Sequence, residues 1–203
     1  MRNGPTAAVL VVLAVSGCGV AGGTEEPVEK KPAMTMREAA EHADRITSST
    51  MDAVKPPVEW AHHVFSESAC TDFKGDLTGT GTVTRRAAVL TVISKERLGN
   101  FLGVVERHWK RSGYGITSVR NHRDNPAIFA ATPGDFRMSL EVGYEGQVFL
   151  DVTTPCMTES GVPPPGPRPG GPEYTGEEPP PPDRNSAFWS ARTPVPSHSS
   201  GRG

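Results

Sequence analysis

Proline decides how much of this chain is available to fold. Beyond Cys156 come Pro163-Pro164-Pro165, Pro167, Pro169, Pro172 and Pro179 to Pro182. Such a run lacks backbone donors and favours extended polyproline conformations, so it builds no core of its own. Residues 157–203 are therefore expected to form a disordered, solvated tail. Phe188-Trp189 is an isolated aromatic pair in that tail and its most natural partner-binding point.

At the other end, Met1-Arg2-Asn3-Gly4-Pro5-Thr6 leads into the apolar run Ala7 to Val15, followed by Ser16-Gly17-Cys18. A basic start, an apolar segment of about 7–15 residues and small residues at the cut make a secretory leader. The run is shorter than the roughly 20 apolar residues a membrane-spanning helix needs. Gly19 to Lys31 holds three glutamates, Gly22, Gly23 and Pro27 with few apolar residues. It has too little surface to bury to offset its ordering entropy and is read as a flexible tether.

Between these ends, residues 35–156 have the composition of a folded domain. Some ~120 residues is a usual size for a single core. The formal net charge of −2 gives no case for a nucleic-acid partner. Basic residues do concentrate between Arg85 and Arg123.

Thr35-x-x-Glu38 is a capping box, and Met36, Ala39, Ala40, Ala43, Ile46 and Val54 follow at helical spacing until Pro56-Pro57. Val58 to Ser68 reads as one strand and Thr80 to Ile93 as a second. Ser94 is placed to cap a second helix with a stripe of Leu98, Phe101, Leu102, Val105 and Trp109, stopped by Gly113. Short strands follow at 116–120 and 127–132, and Pro133-Gly134-Asp135 forms a turn in which glycine supplies positive φ. Phe136, Met138, Leu140, Val142 and Tyr144 alternate with polar residues, and a last strand runs from Gln147 to Thr154. The order αββαββββ predicts an α+β two-layer sandwich, an antiparallel sheet of about six strands with both helices on one face.

Of three cysteines, Cys70 and Cys156 lie in the domain, at the ends of the first and last predicted strands. In an exported protein they are expected to form a disulfide locking the sheet margins, with two buried thiols as the alternative.

The residues Val15-Ser16-Gly17-Cys18 resemble the lipobox of bacterial lipoproteins. The resemblance implies that Cys18 is acylated, that residues 1–17 are removed, and that residues 18–34 tether the domain to the extracytoplasmic face of the cell membrane. The layout of leader, one compact α+β domain and one disulfide resembles small actinobacterial lipoproteins, a likeness that assigns no activity.

Several clusters invite chemistry. His62-His63 are strand neighbours that point to opposite faces and so do not share one metal. Ser66 and Ser68 lack a nucleophile elbow. Gly79-Thr80-Gly81-Thr82 lacks the lysine and helix of a phosphate loop and reads as a loose turn. No catalytic residue, metal or cofactor is expected. Arg107, Lys110 and Arg111 on the second helix form a contact surface for anionic head groups or wall polymer. The leading expectation is a non-enzymatic binding or scaffold module of the envelope, using the open face or edge of its sheet for an envelope protein or wall polymer. The alternatives are an envelope enzyme in which His62, His63, Glu59, Glu141 and Asp151 converge, and an accessory or sensor lipoprotein paired with a membrane partner through the basic helix.

Overall fold

A computed structural model describes residues 32–143, 146–166 and 181–193. The leader, Cys18 and the tether up to residue 31 lie outside the described residues.

Helix α1 (Met36–Asp52) starts at the expected capping box. Glu38 N donates to Thr35 Oγ1 at 3.3 Å and Thr35 N donates to Glu38 Oε2 at 2.8 Å. Its buried face is Met36, Ala39, Ala40, Ala43 and Ile46. Small side chains let the helix backbone lie close on the sheet. Helix α2 (Lys95–Arg111) buries Phe101, Leu102, Val105 and Trp109. It stops at Gly113, φ +78°, where Gly113 N donates to Lys110 O and Tyr114 N to Trp109 O. The helices meet where Trp109 Nε1 donates to Thr50 Oγ1 at 3.0 Å, both side chains buried.

The strands are β1 (Trp60–His62), β2 (Ser66–Thr71), β3 (Leu77–Val89), β4 (Gly115–Arg120), β5 (Ala127–Ala131), β6 (Arg137–Val142), β7 (Val148–Thr153) and β8 (Met157–Thr158). All pair antiparallel in the order β1-β3-β7-β6-β5-β4, with β2 and β8 also on β3. β1 and β2 run along one edge of β3, and β7 and β8 along the other. Among the described residues eight strands thus make a sheet six lanes wide, the expected α+β two-layer sandwich. Val83, Ala87, Leu140, Leu150 and Val152 face the helices and are buried.

Three local readings change. The single strand expected from Val58 to Ser68 is broken at residues 63–65, although His63 N still donates to Arg86 O. Gly79-Thr80-Gly81-Thr82 is not a turn but lies within β3. A Cβ on Gly81 would sit 2.8 Å from Met36 Sδ and 3.0 Å from Ser68 O, so glycine there admits α1. In the Pro133-Gly134 turn, positive φ falls on Asp135 (+58°) rather than on glycine; aspartate tolerates that conformation.

Cys70 and Cys156 are bonded, with Cα atoms 6.2 Å apart. They do not lock both margins. β7 pairs with both β3 and β6 and is interior, so the bridge ties the β1–β2 edge to the link between β7 and β8.

The described part of the chain beyond Cys156 departs furthest from expectation. Residues 157–166 and 181–193 are built onto the domain rather than standing apart from it. Trp189 is 1% exposed; its Nε1 donates to Pro56 O at 2.7 Å and its ring meets Phe101 edge-on at 5.4 Å. Arg184 N donates to Leu90 O and Val92 N to Arg184 O, so the expected continuation of the strand to Ile93 leaves the sheet and pairs with the tail. Ser94 stands at the N-cap of α2, but its hydroxyl donates to Ala191 O at 2.6 Å rather than capping.

Candidate functional site

The face of the sheet turned away from the helices carries two arginine–carboxylate–aromatic units. On β3, Arg86 donates from Nε and Nη2 to the two oxygens of Asp151 on β7, at 2.7 and 2.6 Å. Its guanidinium lies 5.4 Å from the centre of the Phe149 ring. On β4, Arg120 Nη2 donates to Glu141 Oε2 at 3.0 Å, Nε donates to Asn125 O, and the guanidinium is 6.0 Å from Phe129. The bidentate bond to Asp151, followed by the nearby carboxylates, raises the pKa of Arg86. Strand alternation explains the set: register pairs Arg86 with Asp151 and Glu141 with Phe149 on one side of the pleat. Each guanidinium therefore stands between a carboxylate that binds it and an aromatic ring beside it.

The proposed acid–base cluster does not assemble. Glu141 and Asp151 are each taken by their own arginine. Glu59 lies at the far end of β3, 3.9 Å from Arg184. Register sets His62 opposite Ala87, beside Trp60 on the helix side, with ring centres 5.0 Å apart, and His63 falls on the other side. Ser66 and Ser68 are exposed on β2. Among the described residues no three His, Cys, Asp or Glu side chains stand close enough to share a metal.

Arg107, Lys110 and Arg111 are together on the exposed side of α2, with Lys110 Nζ 2.6 Å from Glu106 Oε1. Burial, and then the charge of Arg111, lowers the pKa of His108 on the same turn.

Two further features were not read from the sequence. The first is an open cleft of about 1090 Å³ between the start of α2, the β4–β5 link and the returning tail. Its walls include Ser94, Lys95, His122, Arg123, Asp124 and Arg192. One wall is tail, so local sequence carries no sign of it. The second is Arg85, 1% exposed between α1 and β3. Its Nε is 3.2 Å from Asp44 Oδ1, its Nη2 donates to Pro163 O at 2.8 Å, and its guanidinium lies 4.8 Å from the Phe65 ring centre. Burial raises the pKa of Asp44 against the opposing effect of Arg85. Thr82-Val83-Thr84 before Arg85-Arg86 and the apolar Ala87-Ala88-Val89 after it do not mark which arginine is buried; register does.

No protein-family model matches this chain. The comparison with curated proteins finds no match. Among solved structures, the chain is similar to a DUF4853 family protein from Actinomyces odontolyticus, with TM-score 0.41 and 11% identity over 61% of this chain and 69% of that one. It is also similar to the "putative lipoprotein LppA" from Mycobacterium tuberculosis, with TM-score 0.35 and 13% identity over 60% of this chain and 80% of that one. Among the described residues no helix is long and apolar enough to cross a membrane.

Proposed function

We propose that this protein is a membrane-anchored extracytoplasmic lipoprotein whose domain is a non-enzymatic binding or scaffold module of the cell envelope. The observation that carries the reading is the fate of the cysteines. Of three, Cys70 and Cys156 are joined, which leaves Cys18, at the end of Val15-Ser16-Gly17-Cys18, as the one cysteine outside the bridge. A disulfide of that kind suits an oxidising compartment, and a lone cysteine after a secretory leader suits acylation.

The binding surface is the open sheet face. Arginine and aromatic residues dominate the energetics of contact surfaces, and Arg86 and Arg120 are already fixed over Phe149 and Phe129. Carboxylates each neutralised by an arginine favour recognition over acid–base catalysis. Partners of matching chemistry are an envelope protein segment or a wall polymer that offers hydrogen-bond acceptors to the guanidinium edges left outside the two ion pairs.

Two measurements test this. Cys18→Ala should abolish acylation and move the protein out of the membrane fraction; membrane retention of that variant contradicts the anchor. Affinity capture of the lipidated protein from its own membrane should recover a partner that the pair Arg86→Glu and Arg120→Glu loses. Recovery unchanged by that pair contradicts the surface.

A further inference from the structure

The β2–β3 hairpin ends in an apolar tip that the domain leaves uncovered. Phe73 is 93% exposed and Leu77 73% exposed. The loop that presents them is well formed: Asp72 Oδ1 accepts from Lys74 N at 2.8 Å and from Asp76 N at 2.9 Å, and Asp72 N donates to Asp76 O. The Asp72 carboxylate is thereby turned into the loop. Lys74 Nζ stands 5.4 Å from the Phe73 ring centre, and Asp76 is the loop's exposed acid.

The tip lies at the end of the fold where the chain enters. Pro32 O accepts from Thr158 Oγ1 at 2.6 Å, and Thr158 pairs with Thr80 on β3. Leu77 is three residues from Thr80, about 10 Å along a strand. Cys18 precedes Pro32 by 14 residues in the sequence, which reach at most about 50 Å when fully extended. The 13-residue β3 carries the sheet away from this end towards Leu90 and the tail-walled cleft.

We infer that Phe73 and Leu77 at the hairpin tip insert into the interface of the bilayer that holds Cys18, with Lys74 at the level of anionic head groups. This rests on the anchor reading above. Aromatic and aliphatic side chains flanked by a lysine suit that boundary. The anchor and the tip then make two points of attachment at one end, and the cleft at the opposite end faces away from the membrane.

The test uses Phe73→Trp in the full chain. Trp60, Trp109 and Trp189 are buried and give a constant background. Coupling the free Cys18 thiol of protein made without lipidation to a single-chain maleimide lipid holds it on phosphatidylglycerol–phosphatidylethanolamine vesicles independently of cellular acylation, so failure here is distinct from failure of the anchor. The expected result is a blue-shifted emission at position 73 that lipid-borne bromine quenches and aqueous iodide reaches less well. The pair Phe73→Asp and Leu77→Asp, at exposed positions, should speed desorption of the coupled protein by about tenfold or more. Emission and iodide quenching unchanged by vesicles overturn the inference. So does a concentration-dependent blue shift without vesicles, which would mean that a second copy covers the tip.

Discussion

Replacing Trp189 by alanine should release the returning tail. A tryptophan buries about 150–250 Å², worth roughly 4–6 kcal/mol at about 25 cal/mol per Å². The bond from Nε1 to Pro56 O adds about 1 kcal/mol. Ordering of the segment opposes these contributions, and measured aromatic-to-alanine losses centre on about 3–5 kcal/mol. The loss falls first on docking of residues 181–193, because no strand of the six-lane sheet comes from that segment. Opening of that segment should therefore increase by about a hundredfold, taking roughly 3 kcal/mol at about 1.4 kcal/mol per factor of ten. Native-state hydrogen exchange reads it directly. The amides of Arg184 and Val92, bonded to Leu90 O and Arg184 O, should lose protection. Amides of β6 and β7 should keep theirs. Trp189→Phe keeps the contact with Phe101 and should recover most of the effect. Unchanged protection at Arg184 and Val92 in the alanine variant would refute the docked tail and, with it, the tail wall of the cleft.

Three other outcomes follow from the same geometry. Asp44→Ala leaves Arg85 buried without its carboxylate and should cost about 3 kcal/mol in urea unfolding, whereas Asp44→Leu with Arg85→Met should recover much of it; equal losses in both would contradict a buried pair. Removing the disulfide as Cys70→Ala with Cys156→Ala frees a loop with a separation of 86 residues and should lower stability by about 4–5 kcal/mol on the chain-entropy scale; a loss under about 1 kcal/mol would mean that the bridge constrains little. The bonds from Thr35 hold the pKa of Glu38 below its ordinary 4.5, so its contribution is complete above that pH and is lost as pH falls through the lower folded-state value. Glu38→Gln should flatten the acid limb of the melting temperature against pH, and an unaltered limb would remove Glu38 from the account.

The parts legible in the sequence were those set by local periodicity. The stripe from Leu98 to Trp109, the alternation from Phe136 to Val142 and the Thr35–Glu38 box each describe contacts within one element, and each element forms where its pattern runs. The split of the first strand at residues 63–65 is a matter of register against β3, which no local pattern records. Ser94 has the right residue type for a cap, yet Ala191, 97 positions away, takes its hydroxyl. The Phe188-Trp189 pair stood out as an aromatic point in a polar tail; its partner is the protein's own Phe101 and Arg97, whose guanidinium lies 4.7 Å from the Phe188 ring centre. Proline content describes what a segment cannot build alone and is silent on whether a few of its side chains find a place on a core already made. The open face was foreseen as a face, but its pairing of Arg86 with Asp151 and Arg120 with Glu141 follows from strand order, which placed β7 inside the sheet.

Everything proposed about compartment and orientation depends on the first residue of the mature chain. Intact-mass spectrometry of protein purified from its native membrane measures that residue directly. The account predicts a chain beginning at Cys18, heavier than residues 18–203 by the mass of its lipid and lighter by two hydrogens for the Cys70–Cys156 bond. An unmodified N-terminus upstream of Cys18, or a mature chain without added lipid, would contradict it.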